Sequence, residues 1–160
     1  MRNTIENAFS AHDLKYQIIR EKADQVVFRL SMSSSNGRFE TFVDLRPNDN
    51  QVLIYSTAPA HVAPEQRIRI SEFLTRANLG LILGNFELDF MDGEIRYKTS
   101  FCFDETFPPS EEVFLRNLHA SFHMLDKYLP GIMAVQFGSK KPETALNDVV
   151  QAGCHTFHLN

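Results

Sequence analysis

At 160 residues, with 43% hydrophobic and 22% charged side chains and 14 Phe against no Trp, the chain has the make-up of one globular domain with an aromatic-rich core, which excludes a disordered polypeptide. A count of 16 basic against 20 acidic side chains leaves a net charge of −4, so the broad basic field that collects phosphates is missing and no nucleic-acid partner is expected. No apolar run approaches the roughly 20 residues that cross a bilayer, and Met1-Arg2-Asn3-Thr4-Ile5-Glu6-Asn7 lacks the plan of a signal peptide. With Cys102 and Cys154 read as free thiols, a soluble cytoplasmic protein with no membrane partner is expected.

A short helix is predicted from Asn3 to His12, with Ile5, Ala8 and Phe9 on one face. A strand around Tyr16 to Arg20 is the next candidate. Period-two alternation then marks Val26 to Met32 and Arg38 to Leu45 as half-buried antiparallel strands joined through Ser33-Ser34-Ser35-Asn36-Gly37. Pro47-Asn48-Asp49-Asn50 reverses the chain into a strand from Gln51 to Thr57.

Pro64 suits the first turn of a second helix, in which Ile70, Phe73, Leu74 and Ala77 share a face and Gly80 ends it. Asp92-Gly93 reads as a two-residue hairpin turn, because this dipeptide accepts positive φ. Pairing outward from such a turn sets Phe90 against Ile95, Asp89 against Arg96, Leu88 against Tyr97 and Glu87 against Lys98. One face is then apolar and the other carries two opposite-charge pairs. Phe101 and Phe103 continue the core side and Cys102 the charged side.

Ser110 is the expected N-cap of a third helix with Glu111 and Glu112 in its first turn and Phe114, Leu118, Phe122, Leu125 and Leu129 as its buried stripe. Pro130-Gly131 is expected to interrupt it, leaving residues 132–137 open between helix and strand. A last amphipathic helix begins at Pro142, and the tail from about residue 153 is expected to be mobile. The fold class that follows is α+β, one domain over residues 1–160: an antiparallel sheet of five to six strands with helices packed on one face.

The usual catalytic signatures are missing: no GxGxxG, P-loop or GxSxG can be written. His119 and His123 lie four apart on the third helix with no acid between them and a third ligand still to be found, and Cys154, His155 and His158 offer three ligands in a tail that would pay ordering entropy to hold a metal, so no metal and no cofactor are expected. Glu87, Asp89, Asp92 and Glu94 crowd one hairpin, where a solvated charged face explains them better than acid/base chemistry. The one enzymatic or sensory alternative would use His119, His123 and these carboxylates. Phe42 is out of phase on a strand whose other outward neighbours are charged. With Leu53 and Tyr55 on the following strand it builds a candidate protein-binding patch on the outer sheet face.

The stretch Phe73-Leu74 with Asn78, then Gly84-Asn85-Phe86-Glu87-Leu88-Asp89 and Asp92-Gly93-Glu94-Ile95-Arg96-Tyr97, resembles the YbjN family of bacterial sensory transduction regulators. Asp126-Lys127-Tyr128 before Pro130 and the step from Pro142 to Ala145 are similar too. The likeness covers roughly residues 64–146. It implies a fold like the type III secretion chaperones, with protein binding as a homodimer and a regulatory role, and it supplies no catalytic residues. The expectation is therefore a non-enzymatic, homodimeric, chaperone-like adaptor for an unknown protein.

Overall fold

The computed structural model describes residues 1–104 and 106–154, with side chains described up to residue 152. Ten elements follow in order: α1 (Arg2–Ala11), β1 (Tyr16–Lys22), β2 (Gln25–Ser33), β3 (Arg38–Arg46), β4 (Gln51–Thr57), α2 (Arg67–Leu79), β5 (Asn85–Leu88), β6 (Ile95–Cys102), α3 (Glu111–Gln136) and α4 (Pro142–Cys154). A single 3-10 turn, Pro64–Gln66, leads into α2, so the proline starts a tighter turn just ahead of the expected helix. Of the tail expected to be mobile from about residue 153, residues 153 and 154 are the last of α4, while His155 and His158 lie outside the described residues, as does the side chain of Cys154.

The six strands form one antiparallel sheet in the order β1-β2-β3-β4-β6-β5. Alternation decides which way each strand faces: Phe28, Val43, Ile54 and Tyr97 turn inward and are fully buried, whereas Arg29, Asp44, Tyr55 and Lys98 turn the other way. The helices cover the inward face: α3 packs over β4 and β6, α2 against β5 and α4, and α1 against α3. This is the expected α+β architecture, with the optional strand at Tyr16 present as β1.

Two apolar clusters share that interior. Phe9, Phe28, Leu30, Val43, Ile54, Phe114 and Leu118 gather under α1, and Phe73, Phe86, Ile95, Tyr97, Tyr128 and Ile132 gather under α2 and α4. A seam of small hydroxyls runs between them, with Thr41 bonded to Ser56 at 2.7 Å and Ser56 to Ser121 at 3.1 Å. Each hydroxyl has a buried partner, so the seam escapes the cost of an unsatisfied polar group.

The hairpin departs from the expected register. Leu88 opposes Ile95, Glu87 opposes Arg96, Phe86 opposes Tyr97 and Asn85 opposes Lys98. The turn is a four-residue loop, Phe90 to Gly93, closed by the Asp89 amide donating to Glu94 O at 2.9 Å and the Gly93 amide to Asp89 O at 2.8 Å. The Asp89 and Asp92 side chains accept from the amides of Met91 and Glu94, and each such local bond favours a longer turn than Asp-Gly alone implies. Phe90, expected in the core, therefore sits half exposed in the loop. Because the error is two residues and the side-chain period is two, the inward and outward faces survive it.

The expected break at Pro130-Gly131 does not occur: α3 runs unbroken for 26 residues, with 132–136 as its last helical residues and Phe137 as its C-cap. Proline has no N–H to give the carbonyl four residues earlier, that of Asp126. The loop between β2 and β3 supplies the missing donor. Asn36 Nδ2 donates to Asp126 O at 3.1 Å, while the Asn36 amide donates to Asp126 Oδ1 at 2.7 Å. Gly131 is needed for close approach, since a Cβ there would stand 2.6 Å from the Phe73 ring and 2.8 Å from Val149.

Tyr97 couples the core to pH. Its hydroxyl donates to Leu83 O, and burial, with Tyr128 adding to it, pushes its pKa up to about 12. A folded pKa above the ordinary phenol value of about 10 means that this stability is complete below that pH and is lost as pH rises toward the folded value. The protein is expected to unfold in alkali across that window, followed by circular dichroism. Tyr97→Phe has nothing to ionise there and should show a shallower alkaline loss; an unchanged profile would contradict the assignment.

Candidate functional site

The outer face of the sheet, opposite the helices, is the candidate site. The register places Arg29, Phe42, Tyr55 and Lys98 side by side across β2, β3, β4 and β6, and Val27, Asp44, Leu53 and Ser100 in the next row. The three residues singled out by the sequence, Phe42, Leu53 and Tyr55, are thus neighbours, each partly exposed. The Phe42 and Tyr55 rings stack at 5.1 Å with 21° between their planes, and the Arg96 guanidinium lies over the Tyr55 ring at 5.3 Å. Burial raises the Tyr55 pKa, and the nearby Asp44 charge raises it further.

Val27 belongs to the same patch and was overlooked. It faces outward yet is only 7% exposed, and the unbroken run Val26-Val27-Phe28 was the available signal, since a strand with one wet face would have placed a polar residue there.

Charged side chains surround this apolar centre. Arg29 pairs with Glu40 at 2.5 Å. Arg46 reaches Asp44 at 3.2 Å, and Gln25 Nε2 donates to both Asp44 oxygens at 3.0 Å. Glu87 takes Arg96 at 2.6 Å and also Lys98, so the Glu87–Lys98 pair forms as expected while Asp89 gives up Arg96 to Glu87. Burial opposes ionisation of Glu87, but hydrogen bonds from Lys98 and Arg96 outweigh it and hold the carboxyl below its ordinary range. Arg20 and Arg38 donate to neutral oxygens instead, Gln25 Oε1 at 2.9 Å and Ser31 Oγ at 2.5 Å.

The sheet's two edges differ. The edge at β5 is closed by the Asn78 carboxamide, which accepts from the Phe86 amide at 2.7 Å and donates to the Phe86 carbonyl at 3.1 Å. At the other end β1 pairs only with β2, is exposed along its whole length, and carries a bulge between Ile18 and Arg20. Other exposed apolar side chains lie at the end of α2 and in the turn after it, where Leu79 is 93% exposed and Ile82 fully so.

The alternative constellation is not assembled. His119 and His123 are exposed on α3, whereas Glu87, Asp89 and Glu94 line a shallow depression with Leu88, Phe90 and Arg96 that includes neither histidine. Asp92 lies in the hairpin loop with His61 nearby at 3.9 Å. Among the described residues no group of three His, Cys, Asp or Glu is placed to hold a metal, and no helix is long and apolar enough to cross a membrane.

Comparison with known proteins gives three results. Residues 2–133 match the YbjN family model, described as "Putative bacterial sensory transduction regulator". The fold is similar to the crystal structure of YbjN from E. coli, described as "a putative transcription regulator", with TM-score 0.55 and 17% identity over 78% of this chain and 87% of that one. It is also similar to an uncharacterized protein from Methanothermobacter thermautotrophicus, with TM-score 0.60 and 13% identity over 84% of this chain and 98% of that one. No curated protein matches.

Proposed function

The chain belongs to the YbjN family, and on that footing we propose that it is a non-enzymatic regulatory module of the cytoplasm that recognises another protein through the outer face of its sheet. The observation that carries this is the placement of Phe42, Leu53 and Tyr55 together, partly in water, on a face that the helices leave open. An apolar centre inside a charged rim is the common anatomy of a recognition surface. The regulatory role in the family's description, and the chaperone-like adaptor implied by the resemblance, enter as part of this proposal.

A homodimer is proposed with it. The β1 edge supports that form, because a strand with one unpaired side and exposed Ile18 and Ile19 offers backbone donors and acceptors to a second copy.

Affinity capture from the native cell tests the recognition face, using the wild-type chain beside a Phe42→Ser/Tyr55→Ser variant whose folding is checked by thermal denaturation. A protein held by the wild type and lost by the variant is the expected result; equal recovery from both, or none from either, would sink the proposal. Light scattering is expected to give twice the 18.3 kDa chain mass, and a monomer mass removes the dimer.

A further inference from the structure

The outer sheet face has the opposite charge sign to the molecule that carries it. Its outward strand positions hold seven cations, on β1, β2, β3 and β6, against the three carboxylates Glu40, Asp44 and Glu87. The chain as a whole is net −4. Four of the cations are engaged by those carboxylates, while Arg20 and Arg38 hydrogen-bond neutral oxygens and form no ion pair among the described residues.

We propose that the occupant of this face is an acidic amphipathic helix of a partner protein, its apolar stripe on Phe42, Leu53 and Tyr55 and its carboxylates against the flanking arginines. The inference rests on the protein-recognition proposal above and adds the chemistry of the partner. Opposite potentials steer such a segment in and reject partners of the wrong sign. A second copy laid face to face would set one net-positive surface against another. A nucleic acid would satisfy the charge, but its bases need an open aromatic plane, and the Tyr55 ring is already engaged by Phe42 and Arg96.

The guest is helical for a backbone reason. β3 and β4 are hydrogen-bonded to strands on both sides, so this face offers side chains alone. An extended guest would find no partners there for its own amides, whereas a helix satisfies them internally.

Fluorescence polarisation tests the idea with a labelled acidic amphipathic peptide of about 20 residues, the same peptide with every Glu replaced by Lys, and a single-stranded oligothymidylate of similar length. The acidic peptide is expected to bind, to weaken as salt rises, and to lose about tenfold in affinity on Arg20→Glu/Arg38→Glu, which breaks no ion pair. The Lys peptide should not bind. Failure of the acidic peptide to bind, tighter binding of the oligonucleotide, equal binding of the Lys peptide, or an affinity unmoved by the two reversals overturns the proposal. So does a dimer mass that Phe42→Ser/Tyr55→Ser abolishes, because a second copy then fills the face. Capture that depends on Phe42 and Tyr55 but not on Arg20 and Arg38 leaves protein recognition standing and removes only the acidic helix.

Discussion

Gly93→Ala is expected to destabilise the protein by at least about 3 kcal/mol, seen as a fall in the urea midpoint at unchanged slope. Gly93 has φ +86°, where an L side chain costs about 1–2 kcal/mol. The added methyl would also stand 2.8 Å from the Val62 nitrogen and closer still to its carbonyl oxygen. Both neighbours are rigid backbone. The Val62 amide donates to Gly93 O at 2.8 Å, and the Val62 side chain is 1% exposed in the core. Relief therefore requires the segment before α2 to leave its seat on the hairpin loop. A variant as stable as the wild type would mean that this contact does not exist in solution.

Phe9→Ala is expected to cost about 3–5 kcal/mol, the range for emptying a fully buried aromatic site. Phe9 is fully buried with ring centroids 4.9 Å from Tyr16, 5.6 Å from Phe28 and 5.6 Å from Phe114. It joins α1 to the sheet and to α3 at once. A helix of 10 residues is marginal by itself, so removal of this ring should also loosen α1 before the rest. Hydrogen exchange should then rise first in residues 2–11, with the sheet amides holding. Phe137→Ala, at a ring 65% exposed, should shift stability by no more than about 0.5 kcal/mol. Equal losses from the two substitutions would contradict the packing described.

Outer-face variants are expected to behave differently from both. Phe42 and Tyr55 lie outside the two interior clusters, so their loss should be felt in binding more than in folding. That separation lets the proposed recognition face be tested on a folded chain.

Much of the architecture was legible because local rules and global packing agree. Ser110 accepts from the Val113 amide as an N-cap should. Ile5, Ala8 and Phe9, and likewise Ile70, Phe73, Leu74 and Ala77, are buried on the faces their spacing implies. The candidate patch was legible for the same reason: Phe42 breaks the phase of polar residues on β3, and phase is a property of the chain alone. The hairpin pairs were not, since Asp89 and Asp92 lengthen the turn through their own side chains and Gly93 is held by Val62, some thirty positions earlier. The continuity of α3 was hidden likewise, because the donor that answers Pro130 is Asn36, 90 residues from Asp126.

The amino-acid sequence by itself determined the order of strands and helices as far as the start of the third helix and which side of each faces the interior, because periodicities of 2 and 3.6 are set by backbone geometry and need no partner. Only the tertiary structure decided the strand register, the unbroken third helix and the net positive charge gathered on the outer face. Each of these depends on groups far apart in the chain meeting in space, where a hydrogen bond, a collision or a shared field exists only once the sheet has assembled.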